Sequence, residues 1–130
     1  MSFARHNPAS VPPPVGRYSQ GLELPAGARI LFISGQIPER PGQAIPADFR
    51  GQAEFVWQNI SDVLAAAGMG ISDLVKVTTF LTSREQVQAN REVRNRFLGE
   101  TNPAMTVIVA QTLDANWLLE IEAIAAKVDA

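Results

Sequence analysis

The stretch that decides the fold is residues 48–81, DFRGQAEFVWQNISDVLAAAGMGISDLVKVTTFL, because the spacing of its apolar residues changes part-way along. Over 48–67, apolar side chains recur every three or four residues, the period of an amphipathic helix. They are Phe49, Ala53, Val56, Ile60, Val63, Leu64 and Ala67. Asp48 is placed to cap the start of this helix, and Gly68 stands where a C-terminal glycine belongs. Residues 74–81 are rich in β-branched and apolar side chains and predict a strand.

The same alternation of helix and strand continues toward the C-terminus. Residues 84–98 predict a second helix, with Ser83 as its N-cap and Gly99 after its end. Its inner stripe passes along or near Val87, Arg94, Phe97 and Leu98. Residues 105–110 (MTVIVA) and 117–128 (WLLEIEAIAAKV) predict two strands, the second long and almost wholly apolar apart from its two glutamates.

The N-terminal third holds eight of the nine prolines, in residues 1–46. Residues 7–17 should be extended, since each proline pushes its predecessor out of the helical region. A strand over 18–24, the turn signal Pro25-Ala26-Gly27 and a strand over 29–34 predict a hairpin. The whole order is then β-β-α-β-α-β-β, an α+β domain.

Right-handed crossovers place both helices on one face of a mixed sheet and leave the other face uncovered. A monomer that leaves a large apolar face wet tends to aggregate. We therefore expect the chain to associate with copies of itself through that face, most simply in a closed ring.

Composition limits the chemistry that is available. The 130 residues fit one domain, 1–130, with a net charge of −2, no cysteine and a single histidine, His6. A thiol nucleophile, a thiolate zinc site and an all-histidine metal site within one chain are excluded. The acidic balance argues against a nucleic-acid partner, and no apolar run approaches membrane-spanning length. Without a signal-peptide pattern in Met1–Ser10, we expect a cytoplasmic protein.

A few residues could carry chemistry on pattern alone. Glu120 and Glu122, two apart in the last strand, share one face and are either a general base in a cleft or that strand's solvent face. Arg17-Tyr18 could bind an anion or pack at a strand edge. Ser34-Gly35 ends a buried strand, where a glycine indicates close backbone approach or a bulge.

Two other features favour surface roles. His6 has no evident carboxylate partner and is expected to be a mobile surface residue. The second helix carries four arginines (84, 91, 94 and 96) and the glutamates 85, 92 and 100 nearby. Because Glu92 and Arg96 have i,i+4 spacing, a solvated, ion-paired helix face is favoured over an RNA-binding patch.

Six segments in fixed order resemble one protein family. They are PVGRYSQ (14–20), FISGQIP (32–38), QNI (58–60) leading to LAAAG (64–68), DLVKVT (73–78), NPA (102–104) and LEIEAIA (119–125). Together they resemble the reactive intermediate deaminase (Rid/YjgF) family, also known as endoribonuclease L-PSP-like. The resemblance implies a chorismate-mutase-like homotrimer with small-molecule clefts at subunit interfaces. It also implies hydrolysis of enamines or imines such as 2-aminoacrylate without a metal or cofactor.

The resemblance also implies which residues form the site. The family's cleft tyrosine falls on Tyr18, its serine and glycine on Ser34 and Gly35, its helix asparagine on Asn90, and its water-positioning glutamate on Glu120. The family has an arginine after Pro-Ala that clamps the substrate carboxylate, whereas this chain has Met105 there.

Arg17 is a second departure, since the family usually has proline before the tyrosine. It could supply the missing cation if its side chain turns into the cleft. Loss of one partner of a desolvated charge pair costs about 2–5 kcal/mol. We therefore expect an imine or enamine deaminase with a non-archetypal substrate. A non-catalytic metabolite- or protein-binding member is the alternative, and a ribonuclease is a weaker one.

Overall fold

The computed structural model describes residues 3–16 and 18–129. Its strands are β1 (Ala4–His6), β2 (Gly21–Glu23), β3 (Arg29–Gln36), β4 (Leu74–Leu81), β5 (Ala104–Val109) and β6 (Leu119–Lys127). Its helices are α1 (Phe49–Ala66) and α2 (Val87–Leu98), and single 3₁₀ turns at Ile71–Asp73 and Arg84–Gln86 lead into β4 and α2.

Helix α1 forms as its apolar period predicts. The Asp48 side chain accepts a hydrogen bond from the backbone N–H of Gly51, which satisfies one donor of the first turn. Gly68 follows the helix with φ of +70°, a conformation that glycine adopts without steric cost. The buried face carries Gln52, Ala53, Val56, Trp57, Ile60 and Leu64. These side chains form the centre of the hydrophobic core with the strands below them.

The main sheet has the order β3-β6-β4-β5, with β4 and β5 parallel and β6 antiparallel to both of its neighbours. The predicted mixed sheet with two helices is thus confirmed. Along β6, Leu119 and Ile121 are buried in the core, whereas Glu120 and Glu122 point to the other face. The prediction that the two glutamates share one face is correct.

The predicted hairpin between the strand in 18–24 and β3 is wrong. Strand β2 pairs instead with β1, a strand that the sequence did not reveal. The reason lies just before β2, where the backbone N–H of Ser19 donates to the carbonyl of Pro103 beside the start of β5. Strand β5 is one edge of the sheet and β3 is the opposite edge, so a segment held at β5 does not pair with β3.

Both helices cover one face of the sheet, and we call the other face the open face. Ile30, Phe32 and Ile108 lie on it, exposed by 51%, 74% and 45% of their surface. The uncovered apolar face is therefore present in the single chain. Whether copies of the chain cover it stays a prediction. Within residues 3–16 and 18–129, no helix has the length and apolar character needed to cross a membrane.

Candidate functional site

A cavity of about 470 Å³ lies between α2 and the edge strand β5, on the helix-covered side of the sheet. Tyr18, Asn90 and Met105, three residues that the family resemblance assigns to the site, all line it. We call it the helix-side cavity. Its other walls include the apolar Val15, Val87 and Val107 and the two arginines Arg91 and Arg94.

Tyr18 is held beside β5 by its neighbour in the chain. Ser19 is 3% exposed, and its hydroxyl donates to the carbonyl of Asn102 at 3.1 Å. The Arg5 guanidinium donates to both of these groups. The Tyr18 hydroxyl in turn accepts from the backbone N–H of Val15 at 3.4 Å. The phenol is thus part of an ordered wall of the cavity.

Helix α2 presents one face to the cavity. Val87, Asn90, Arg91 and Arg94 stand at i, i+3, i+4 and i+7, the spacing of residues on one side of a helix. Asn90 is 2% exposed, and its side-chain oxygen has no hydrogen-bond partner among the described residues. An amide held dry and unsatisfied in a cavity wall is available to a ligand.

Arg94 corrects the expectation of a solvated, ion-paired arginine face on α2. It is only 7% exposed, and its Nε has no hydrogen-bond partner in residues 3–16 and 18–129. Burial lowers the pKa of the Arg94 guanidinium, and the neighbouring charge of Arg91 lowers it further. The sequence indicated this burial only in that Arg94 lies along or near the inner stripe of α2. The stripe did not explain why a positive charge should be buried there.

The other charges of α2 also pair differently from the expected i,i+4 pattern. Arg96 bonds Glu54 of α1, and Glu92 bonds Arg50 at the start of α1, so the ion pairs join the two helices. His6 is an exposed surface residue as expected, but the expected lack of a carboxylate partner is wrong, because its Nε2 lies 2.9 Å from a carboxylate oxygen of Glu23 on the paired strand.

A second group of predicted residues lies where β3 meets β6. The register of this strand pair shifts between Ile33 and Gln36, so Gly35 sits at a bulge. A Cβ at Gly35 would lie 1.9 Å from Oε2 of Glu120 and 2.9 Å from its Cδ. The absence of a side chain at position 35 thus leaves room for the Glu120 carboxylate. We call Ser34, Gly35 and Glu120 the carboxylate group.

Glu120 is half-buried, and its carboxylate forms no hydrogen bond or ion pair with any residue in 3–16 or 18–129. Ser34 is exposed, and its carbonyl accepts from the Gln36 amide at 3.1 Å. Glu122 is exposed on the same face. No three metal-binding side chains of the described residues come together to hold an ion. A free carboxylate beside exposed backbone can orient a water molecule.

The helix-side cavity and the carboxylate group lie on opposite faces of one sheet. Glu120 alternates with the core residues Leu119 and Ile121, so it points to the open face. Met105 pairs with Val77, which is fully buried beneath the helices, so Met105 points to the helix-covered face. Strands β6 and β5 are also separated by β4, which places them roughly 10 Å apart. One small molecule does not touch both groups of a single chain.

Of the predicted site residues, the structure therefore brings Tyr18, Asn90 and Met105 together and sets Ser34, Gly35 and Glu120 apart from them. Arg17 lies outside the described residues, so its predicted turn into the cleft stays a prediction. The valines, Arg91 and Arg94 of the cavity wall were not assigned to the site from the sequence, and among them Arg94 is a buried charge.

Comparisons with known proteins agree with this architecture. Residues 9–127 match the family model described as Endoribonuclease L-PSP. A RutC family protein of Pyrococcus horikoshii is 37% identical over 120 residues, which cover 91% of this chain and 93% of that protein. TdcF of Escherichia coli, named provisionally as a reactive intermediate deaminase, is 35% identical over 120 residues, which cover 89% of this chain and 91% of TdcF.

Solved structures show the same fold. The Rid family protein YyfB of Yersinia pestis superposes with a TM-score of 0.85 at 27% identity, covering 98% of this chain and all of that one. The structure of Escherichia coli TdcF with bound serine superposes with a TM-score of 0.72 at 31% identity, covering 98% of each chain.

Proposed function

Because the chain belongs to the endoribonuclease L-PSP family, also called YjgF or Rid, we propose that it hydrolyses the C=N bond of a small imine or enamine. The name of TdcF supports this class of reaction. The serine bound to TdcF supports a ligand of amino-acid size. A cavity of about 470 Å³ accommodates such a ligand.

The observation that carries the proposal is the position of Glu120 against Gly35. The carboxylate occupies the space that any side chain at position 35 would fill, and it has no cation beside it in the described part of the chain. A carboxylate that serves only the fold is normally paired or fully solvated. A half-buried and unpartnered one is suited to accept a proton.

The reaction needs one water molecule and no redox change. Glu120 accepts a proton as the water oxygen forms a bond to the imine carbon, and it passes this proton to the imine nitrogen, which gives a carbinolamine. The same carboxylate then takes the proton of the carbinolamine hydroxyl and delivers it to the nitrogen as the C–N bond breaks, so ammonia leaves and a carbonyl product remains. Tyr18 and the backbone around Ser34 and Gly35 hold the ligand.

We further propose that two copies of the chain form each site. The cavity and the carboxylate group face opposite sides of one sheet, so they meet only when the open face of one copy packs beside the cavity of another. A closed ring repeats this head-to-tail contact without leaving a free end. The expected homotrimer provides three such sites, and Phe32 and Ile30 supply apolar surface for the contact.

The test is ammonia release from 2-imino acids generated in situ by an amino-acid oxidase. Glu120→Ala should lose the rate enhancement, whereas Glu122→Ala should keep it. Glu122 is the matched control because it lies two residues away on the same face but is exposed. Equal rates for wild type and Glu120→Ala would show that Glu120 takes no part in the reaction. If the wild type released no ammonia from any imine, the proposed activity would be wrong.

A second function is supported by Met105. An apolar methionine lines the cavity where the family resemblance implies an arginine, and this favours a protein that binds a metabolite without turning it over. In that case a ligand should raise the melting temperature while no product forms. Product formation by the wild type would exclude this alternative.

A further inference from the structure

The guanidinium of Arg94 is an unsatisfied charge inside the helix-side cavity. Arg94 is only 7% exposed, and its Nε has no hydrogen-bond partner among the described residues. A buried charge normally pairs with an opposite charge, because it has lost the solvation that water would give it. An arginine in this state in a cavity wall is suited to bind an anion.

The nearby carboxylates of the two helices do not supply that anion. Glu92 is in an ion pair with Arg50, and Glu54 is in an ion pair with Arg96. Among the described residues, the charge that acts on Arg94 is the like charge of Arg91, which lowers the pKa of its guanidinium further than burial does alone. Both effects favour an anion from outside the chain, since it would relieve the desolvation and the repulsion together.

We propose that Arg94 on helix α2, rather than residue 105 on strand β5, binds the carboxylate of the ligand in the helix-side cavity. The guanidinium fork matches a carboxylate with two parallel hydrogen bonds. Asn90 and Tyr18 offer an amide and a hydroxyl beside it, and Met105 with Val107 forms an apolar wall. The ligand is therefore a small carboxylic acid with a short apolar body.

This placement explains why position 105 is a methionine. Met105 lines the same cavity as Arg91 and the buried Arg94, so an arginine at 105 would add a third guanidinium to its walls. Two like charges in a poorly solvated cavity repel each other strongly.

This inference rests on the proposed function, because it takes the helix-side cavity to be part of the site. A binding experiment tests the role of Arg94 without any need for turnover. The probes are 2-oxobutanoate, its neutral amide and inorganic phosphate, titrated into the full-length wild type and into Arg94→Gln by calorimetry. Arg94→Gln should weaken 2-oxobutanoate binding by about 30-fold or more while changing amide binding little. Arg84→Gln, which changes an exposed arginine that does not line the cavity, should change 2-oxobutanoate binding by less than about threefold.

Two further variants separate ligand binding from folding. Arg94→Gln without ligand should melt at the wild-type temperature or above it, because an unpaired buried charge is removed. Arg94→Gln combined with Met105→Arg should recover 2-oxobutanoate binding, whereas Met105→Arg alone should not improve it.

The inference is overturned by any of four results. They are unchanged 2-oxobutanoate affinity in Arg94→Gln, equal losses for the acid and the amide, binding of phosphate alone, and a lowered melting temperature of Arg94→Gln without ligand. Failure of the proposed function looks different: the wild type then binds 2-oxobutanoate through Arg94 and releases no ammonia from any imine.

Discussion

The space at Gly35 allows a sharp test of the role of Glu120. In Gly35→Ala the new methyl carbon would sit 1.9 Å from Oε2 and 3.2 Å from Cγ of Glu120. Carbon and oxygen atoms do not approach so closely, so the carboxylate must leave its position. Gly35 has no positive φ, so alanine meets no backbone strain there.

The cost to stability should be small, because the group that moves is the end of a flexible and only half-buried side chain. A forced change of side-chain rotamer costs about 1 kcal/mol, which lowers the melting temperature of a domain of this size by about 4 °C. The cost to activity should be much larger. Displacement of a catalytic group by about 1 Å reduces the rate by about 100-fold.

The assay compares ammonia release from 2-imino acids in wild type, Gly35→Ala, Glu120→Ala and the double variant. Gly35→Ala should be as slow as Glu120→Ala, and the double variant no slower than either one, since both changes remove the same group. Gly70→Ala is the matched control, because a Cβ at Gly70 meets no atom within 4 Å and its φ of −138° suits alanine. A Gly35→Ala protein with wild-type activity would show that the reaction does not depend on the Glu120 carboxylate in the position where it lies.

Two more predictions concern assembly and the core. Phe32→Asp places a charge on the open face, where the side chain is 74% exposed in the single chain, so it should convert the oligomer to monomer by light scattering. Leu113→Asp, in the loop after β5, should leave the oligomer intact, and dissociation by both variants would place the interface elsewhere. Gln52 is buried and bonds the carbonyls of Pro46 and Asn116 and the N–H of Leu118. Gln52→Ala should lower the free energy of unfolding in urea by about 2–4 kcal/mol, since it leaves those groups unpaired. A loss below about 1 kcal/mol would mean that they find other partners.

The regular elements could be predicted because their signals are local. The apolar period of α1, its capping residue Asp48 and the glycine at 68 all lie within one stretch, and β4 begins and ends at the residues that the pattern indicated. Strand β1 was not predicted because it has only three residues, all exposed, and so shows no alternation of apolar and polar side chains. The pairing of β2 with β1 depends on the contact of Ser19 with Pro103, which is remote in sequence.

The residues of the candidate site could be named from the sequence, but their arrangement in space could not. The spacing of Glu120 and Glu122 shows that they share a face, but whether Met105 lies on that face depends on how β5 is aligned with β4. The burial of Arg94 could not be predicted from the sequence, because an arginine on a helix with many charged residues normally lies in solvent. Only the packing of α2 over β5 shows that its side chain is enclosed.

Subunit complementation tests most directly whether two copies of the chain form each site. The Glu120→Gln chain and a Tyr18→Ala/Asn90→Ala chain, each inactive alone, are coexpressed with different tags and purified through both tags. In a closed trimer that contains both chains, one of the three interfaces joins an intact cavity to an intact carboxylate group, so activity should return to about one third of wild type. Mixed assemblies that stay as inactive as the two variants would contradict the shared site.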